Sequence, residues 1–222
     1  MTDKLPTWMR AALSEPRLAA YLAATGGDPG AARLLYWWNA EVSGAFLGPL
    51  HSLELTLRNA LHDELAKVHG RADWWAQAPL NAHGRRLVDE ARRKRSRRSR
   101  RTVTADDLVA ELSFGFWVSL LSSGDSYDRR FWVPALHRAF PHYSGRRDRL
   151  HRSFESMLLF RNKISHHEPI HHRPLEADHA KIYELLEYLS PAMASETRAL
   201  DRVPTVLQSR EDTCSGRRPP QF

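Results

Sequence analysis

The sequence predicts an all-α protein. Apolar residues recur at i, i+3/i+4 intervals in several long stretches. No stretch alternates apolar and polar residues as a half-buried strand would, and nothing repeats with a period of 20–50 residues. The expected architecture is a helical bundle in one domain over residues 1–200, followed by a disordered tail over 201–222. A chain of 222 residues can enclose one sizeable core, and 42% hydrophobic residues, with seven Trp and eight Phe, supply it.

Residues 1–14 read as a short lead, without the basic-then-apolar order of a signal peptide. Pro16 opens a helix over Arg17–Ala24, which Gly26 and Gly27 stop. Asp28-Pro29-Gly30 opens the next, from Ala31 to about Phe46, and Gly48-Pro49 is expected to interrupt it. The helix from Leu50 to about Val68 has a clear apolar stripe: Leu50, Leu53, Leu57, Leu61 and Leu65. Glu54, Arg58 and His62 run beside that stripe at i, i+4 and i+8, and Glu54 and Arg58 have the spacing of an intrahelical ion pair. Such a row is either a solvated helix edge or a supporting polar group aimed at a site.

Gly70 ends this helix, Trp74, Trp75 and Pro79 fill a loop, and a helix follows from Leu80 to about Lys94. Residues 92–101 then carry Arg or Lys at eight of ten positions. A block like this repels itself and is expected to be a solvated, mobile loop. Arg97, Arg98, Arg100 and Arg101 could still meet phosphates there, in keeping with a net charge of +7. No aromatic residue interleaves with them, so base stacking is not expected at this run.

Thr104 is a good N-cap, with Asp107 three positions on. Leu108, Leu112, Phe116 and Leu120 continue at helical spacing, with a break expected near Gly115. Phe131 to Phe140 reads as a short helix before Pro141. The next helix, from about Gly145 to His167, is apolar nearly all round. The last, about Leu175–Arg198, contains Pro191 as a kink or break. Beyond Arg202 the chain is polar and Pro-rich. The single cysteine, Cys214, excludes an internal disulfide framework. No apolar run approaches the roughly 20 residues that span a bilayer, so no membrane partner is expected and the protein reads as soluble and cytoplasmic.

The chemistry concentrates at the end of the 145–167 helix. Arg161 continues the stripe of Leu150, Phe154 and Met157/Leu158, where a guanidinium is costly unless it is paired or faces a ligand. Five of the twelve histidines follow: His166, His167, His171, His172 and His179. A bland account has Arg161 satisfied by Glu54, Glu155 or Glu168, with the histidines capping helix carbonyls. Two enzymatic readings stand beside it. His167-Glu168-Pro169-Ile170-His171 matches the letters H-E-x-x-H, which bind zinc when both imidazoles share one helical face. Pro169 lies inside the motif and costs about 3 kcal/mol in a continuing helix. The other reading is metal-free RNA cleavage, with Arg stabilising the phosphorane-like transition state and His moving protons. It requires neither cofactor nor metal. Asn162 and His166 share a face at i, i+4. Arg161 and His166 stand about 140° apart on an ideal helix, so the reach of a long Arg side chain, a loosened last turn, or a second copy of the helix across a dimer is what could converge them.

Arg161-Asn162 followed by His166 resembles the R-x4–6-H motif of HEPN domains. Four blocks in order narrow the likeness to the Abi-like (abortive infection) family: YWWNAEVSGAF at 36–46, LHSLELTLRNALHDEL at 50–65, DDLVAELSFGFWVSLL at 106–121 and RNKISHHEPI at 161–170. The resemblance covers roughly residues 30–190. It implies a HEPN-like core, a homodimer in which Arg–His motifs converge, and metal-independent endoribonuclease activity in phage defence or a toxin–antitoxin system, with an antitoxin or regulatory partner. By motif match Arg161 is the family's arginine, Asn162 the polar residue beside it and His166 the catalytic histidine. His167 also fits the permitted spacing. Glu54, Arg58, Asn59 and His62 match the family's other polar block, and Glu168 joins that supporting group. The basic run and the tail lie outside the family pattern.

Overall fold

A computed structural model describes residues 5–98 and 101–221, so Met1–Lys4 of the lead and Arg100 of the basic run lie outside it. The described residues form helices and turns, with no strand among them. The helices are α1 (Thr7–Leu13), α2 (Glu15–Ala24), α3 (Pro29–His69), α4 (Ala82–Arg98), α5 (Ala105–Glu111), α6 (Phe114–Ser119), α7 (Arg147–Ser165), α8 (Leu175–Leu189), α9 (Pro191–Ala199), α10 (Val203–Gln208) and α11 (Arg210–Cys214). They pack as two compact units. The first comprises the chain up to Pro49, Phe160–Ala180 and the residues from Thr197; the second comprises Leu50–Leu159 and Lys181–Glu196.

In the first unit, the lead residues form α1, whose Met9 packs with Leu5 and Leu18. Asp28 caps α3, its Oδ1 accepting from the amides of Gly30 at 2.7 Å and Ala31 at 3.1 Å. The break expected at Gly48-Pro49 does not occur: α3 runs for 41 residues with Pro49 inside it. Proline removes one helical donor and crowds the preceding turn, a cost of about 3 kcal/mol. Trp38, Val42 and Phe46 before it, and Leu50, Leu53 and Leu57 after it, are at most 2% exposed. Each such burial is worth about 1.5–3 kcal/mol, so the buried stripe outweighs the proline.

The tail expected to be disordered instead forms α10 and α11. Val203 and Val206 are buried, Trp38 Nε1 donates to the Val206 carbonyl at 3.1 Å, and the Arg210 guanidinium lies 4.6 Å from the Trp38 ring centroid. The anchor is Glu41, a carboxylate only 1% exposed. Arg218 Nη2 donates to it at 2.9 Å and Arg218 Nη1 at 3.3 Å, and Nη1 also reaches the hydroxyls of Ser209 and Thr213. A buried carboxylate demands a cation, and the tail supplies it.

In the second unit Trp74 is fully buried among Trp75, Phe116, Trp117 and Phe131. The basic run is not a loop over its first part, because α4 continues through Arg98. Two carboxylates of α5 meet four of its cations. Arg95 and Arg101 donate to Asp107 at 2.5 and 2.7 Å, and Lys94 and Arg98 pair with Glu111. Thr104 and Asp107 form a capping box at the start of α5. The break after α5 falls at Leu112-Ser113, not Gly115, because Ser113 caps α6 by accepting from the Phe116 amide. The expected helix over 131–140 is reduced to short turns at Asp128–Trp132 and Leu136–Ala139. Ser190 separates α8 from α9 and caps the latter through Met193 N, with Pro191 in the first turn.

Candidate functional site

The end of α7 is built by its backbone. His166 N makes a last helical bond to the Asn162 carbonyl at 2.9 Å. Then His167 N bonds Ile164 O at 3.0 Å and Glu168 N bonds Lys163 O at 2.8 Å. These are the two bonds of a Schellman turn, and His167 holds its left-handed position at φ +57°. The helix expected to reach His167 therefore stops at Ser165. Glycine usually fills this position, since a Cβ there costs about 1–2 kcal/mol. Lys163 Nζ closes the turn with a 2.7 Å ion pair to Glu168, holding that carboxyl below the usual carboxylate range.

Of the predicted site residues, Arg161 and Asn162 are half-buried, and His166, His167 and Glu168 are exposed. Arg161 is not a free side chain. All five belong to the first unit. Glu54, Arg58, Asn59 and His62 belong to the second, on the later part of α3. There Arg58 Nε donates to Asn59 Oδ1 at 3.3 Å, and Glu54 also has a partner. His62 Nδ1 accepts from Trp74 Nε1 at 3.1 Å, and burial lowers its pKa, so it is a neutral acceptor against the aromatic cluster. In the basic run, Arg98 and Arg101 face α5 carboxylates, Arg97 is exposed and Arg100 is outside the described residues.

The H-E-x-x-H letters do not lie on a helix. Residues 167–171 turn away from α7, and Asn39 Oδ1 holds that turn by accepting from the amides of Ile170 at 2.8 Å and His171 at 3.0 Å. His167 is exposed while His171 is buried 5.1 Å from the Tyr21 ring, so the two imidazoles share no helical face. Burial, reinforced by His172 and Arg210, keeps His171 neutral. Among the described residues no group of three or more His, Cys, Asp or Glu is arranged to hold a metal ion.

One cleft in the first unit carries chemistry that sequence reading missed. It has a volume of about 310 Å³ and lies among α2, α3 and the end of α7. Arg17, Tyr21, Tyr36, Asn39, Ser43 and His167 line it, with Ser165 and apolar neighbours, and no Asp or Glu does. Arg17 Nη1 donates to the His167 carbonyl at 2.5 Å, so an arginine from α2 closes the α7 turn. Burial pushes the Tyr21 hydroxyl up to about 12, against the pull of Arg17, so it stays protonated at neutral pH. Among the residues predicted to be catalytic, His167 lines this cleft; Arg161, Asn162 and His166 do not. Arg17 sits 150 residues from His167. Its only advance signal was a cation in the first turn of a short helix, which points nowhere in particular.

Among the described residues no helix is long and apolar enough to cross a membrane. No protein-family model, no curated protein and no solved structure matches this chain.

Proposed function

We propose that the protein is a metal-independent endoribonuclease of the HEPN type. It acts as a cytoplasmic homodimer in abortive infection or a toxin–antitoxin system, held in check by an antitoxin or regulatory partner. The observation that carries this reading is the end of α7, where Arg161-Asn162 and the exposed His166 and His167 follow a buried helical stripe within six residues of one another. An imidazole takes the proton of the RNA 2′-hydroxyl, and the 2′-oxygen attacks phosphorus. The bond to the 5′-oxygen breaks, and that oxygen leaves with a proton returned to it. The products are a 2′,3′-cyclic phosphate and a 5′-hydroxyl. Arg161 stabilises the charge on the non-bridging oxygens. Zinc hydrolysis is disfavoured because the H-E-x-x-H letters fall on a turn.

The second reading is an RNA- or nucleotide-binding helical module without catalysis. The donor-lined cleft favours it, because such a cleft attracts phosphate while Arg161, Asn162 and His166 lie outside its lining. Incubation of the protein with RNA in EDTA separates the two. We expect fragments ending in cyclic phosphate from the wild type, and a loss of at least about 100-fold on replacing both His166 and His167 by Ala. Equal cleavage by wild type and double variant would discredit the nuclease. RNA retained whole by the wild type would leave the binding module.

A further inference from the structure

We infer that the cleft among α2, α3 and the end of α7 is a subsite for one nucleotide of single-stranded RNA, in which Arg17 and Asn39 receive the phosphate and Tyr36 the base. The inference rests on the RNA reading above and adds a place for the strand beside Arg161, Asn162 and His166, none of which lines the cleft.

The first ground is the cleft's polarity. Its polar lining consists of a guanidinium, an amide, two phenols, hydroxyls and an imidazole, with no carboxylate. Such a lining suits an anion and repels a cation. Asn39 is 6% exposed, and its Oδ1 is occupied by the amides of Ile170 and His171. Its amide nitrogen is the group left for the cleft. Arg17 spends Nη1 on the His167 carbonyl, a neutral acceptor, so the guanidinium keeps its full charge and further donors for a phosphate.

The second ground is size and shape. At about 310 Å³ the cleft is at the small end of ligand sites, which run from about 300 to 1,000 Å³. It admits one nucleotide and excludes a duplex. Tyr36 is half-buried at the wall, held edge-to-face by Tyr21 at 5.3 Å and by Trp37 at 5.0 Å. A phenol fixed in this way can stack on a splayed base.

The third ground is His167. Its φ of +57° is a conformation that glycine adopts freely, yet an imidazole occupies it at the cleft wall. Backbone strain of this kind persists where the surroundings over-determine it, and here the Schellman bonds, the Lys163–Glu168 pair and the Arg17 bond to the His167 carbonyl do so together.

The test uses the full chain in EDTA and the dinucleotide ApU carrying a 2′-O-methyl group on the adenosine, which blocks self-cleavage. Calorimetry should show binding by the wild type, weakened at least about tenfold by Arg17→Ala and by Tyr36→Ala. Arg17→Lys should recover part of the loss, because the point charge survives while the bidentate geometry does not. Adenosine alone and inorganic phosphate alone should bind more weakly than the dinucleotide. Arg146→Ala, a change at an exposed arginine of the second unit paired with Asp148, should bind as wild type does. Dinucleotide affinity unchanged by both Arg17→Ala and Tyr36→Ala, or no binding by the wild type, would overturn the inference. RNA cleavage with unaltered KM in Arg17→Ala would do the same while leaving the nuclease standing. Binding lost in the cleft variants of a protein that cuts no RNA would support the subsite and refute the nuclease.

Discussion

At the scale of single residues, His167 separates fold from chemistry. The Schellman turn would be satisfied as well or better by glycine, because no Cβ strain would remain. His167→Gly should therefore leave stability unchanged or raise it by up to about 1 kcal/mol in urea unfolding, with the gain limited by a more flexible unfolded chain. RNA cleavage should fall in the same variant. A stability loss above about 1 kcal/mol would mean that the imidazole is a packing element and not a reagent. The sequence pointed to a polar group at the end of α7 because Arg, Asn and two His follow a buried stripe. It could not distinguish the two histidines, since their difference lies in one backbone dihedral and in the arginine of another helix.

At the scale of elements, helix ends were the most legible features and interruptions the least. Asp28, Thr104, Pro191 and the glycines after α2 and α3 act as their residue types suggest, because capping is local chemistry. Pro49 and the basic run differ from expectation for different reasons: the stripe that outweighs Pro49 lies on α3 itself and gains its value only from burial, and the carboxylates that meet the basic run belong to another helix. Asp107 makes the point measurable. The backbone amide of Thr104 first, then Arg95 and Arg101, hold its carboxyl well below the ordinary 3.8. A depressed folded pKa means the stabilisation is complete above the unfolded value and is lost as pH falls through the folded one. Urea unfolding at descending pH should show this loss beginning below about pH 4, as protons bind the unfolded chain first. In Asp107→Asn the neutral-pH stability should already be lower and this part of the acid dependence absent. A variant with the wild-type acid profile would show that Asp107 does not contribute to it.

At the scale of the whole molecule, the all-α class was readable in the long apolar-striped stretches, since 3.6-residue periodicity needs no partner to be seen, whereas α1 in the lead and the helical part of the basic run carry no such stripe. The tail was not, because polar, Pro-rich composition hides Arg218, whose value depends on Glu41 lying 177 residues away. Deleting residues 201–222 should therefore destabilise the chain by about 3–5 kcal/mol, the usual result of leaving a buried charge unpaired. Glu41→Gln in the truncated chain should restore part of it. Equal unfolding midpoints for the full and shortened chains would show the tail to be dispensable. The compact units have a further consequence. Each draws on separated stretches of the gene, and α3, α7, α8 and α9 each give residues to both. The cleft has no contiguous coding segment of its own. Grafting it onto another scaffold would require the stretch through Pro49, the stretch 160–180 and the closing stretch together, so natural recombination could exchange it only by exchanging nearly the entire protein.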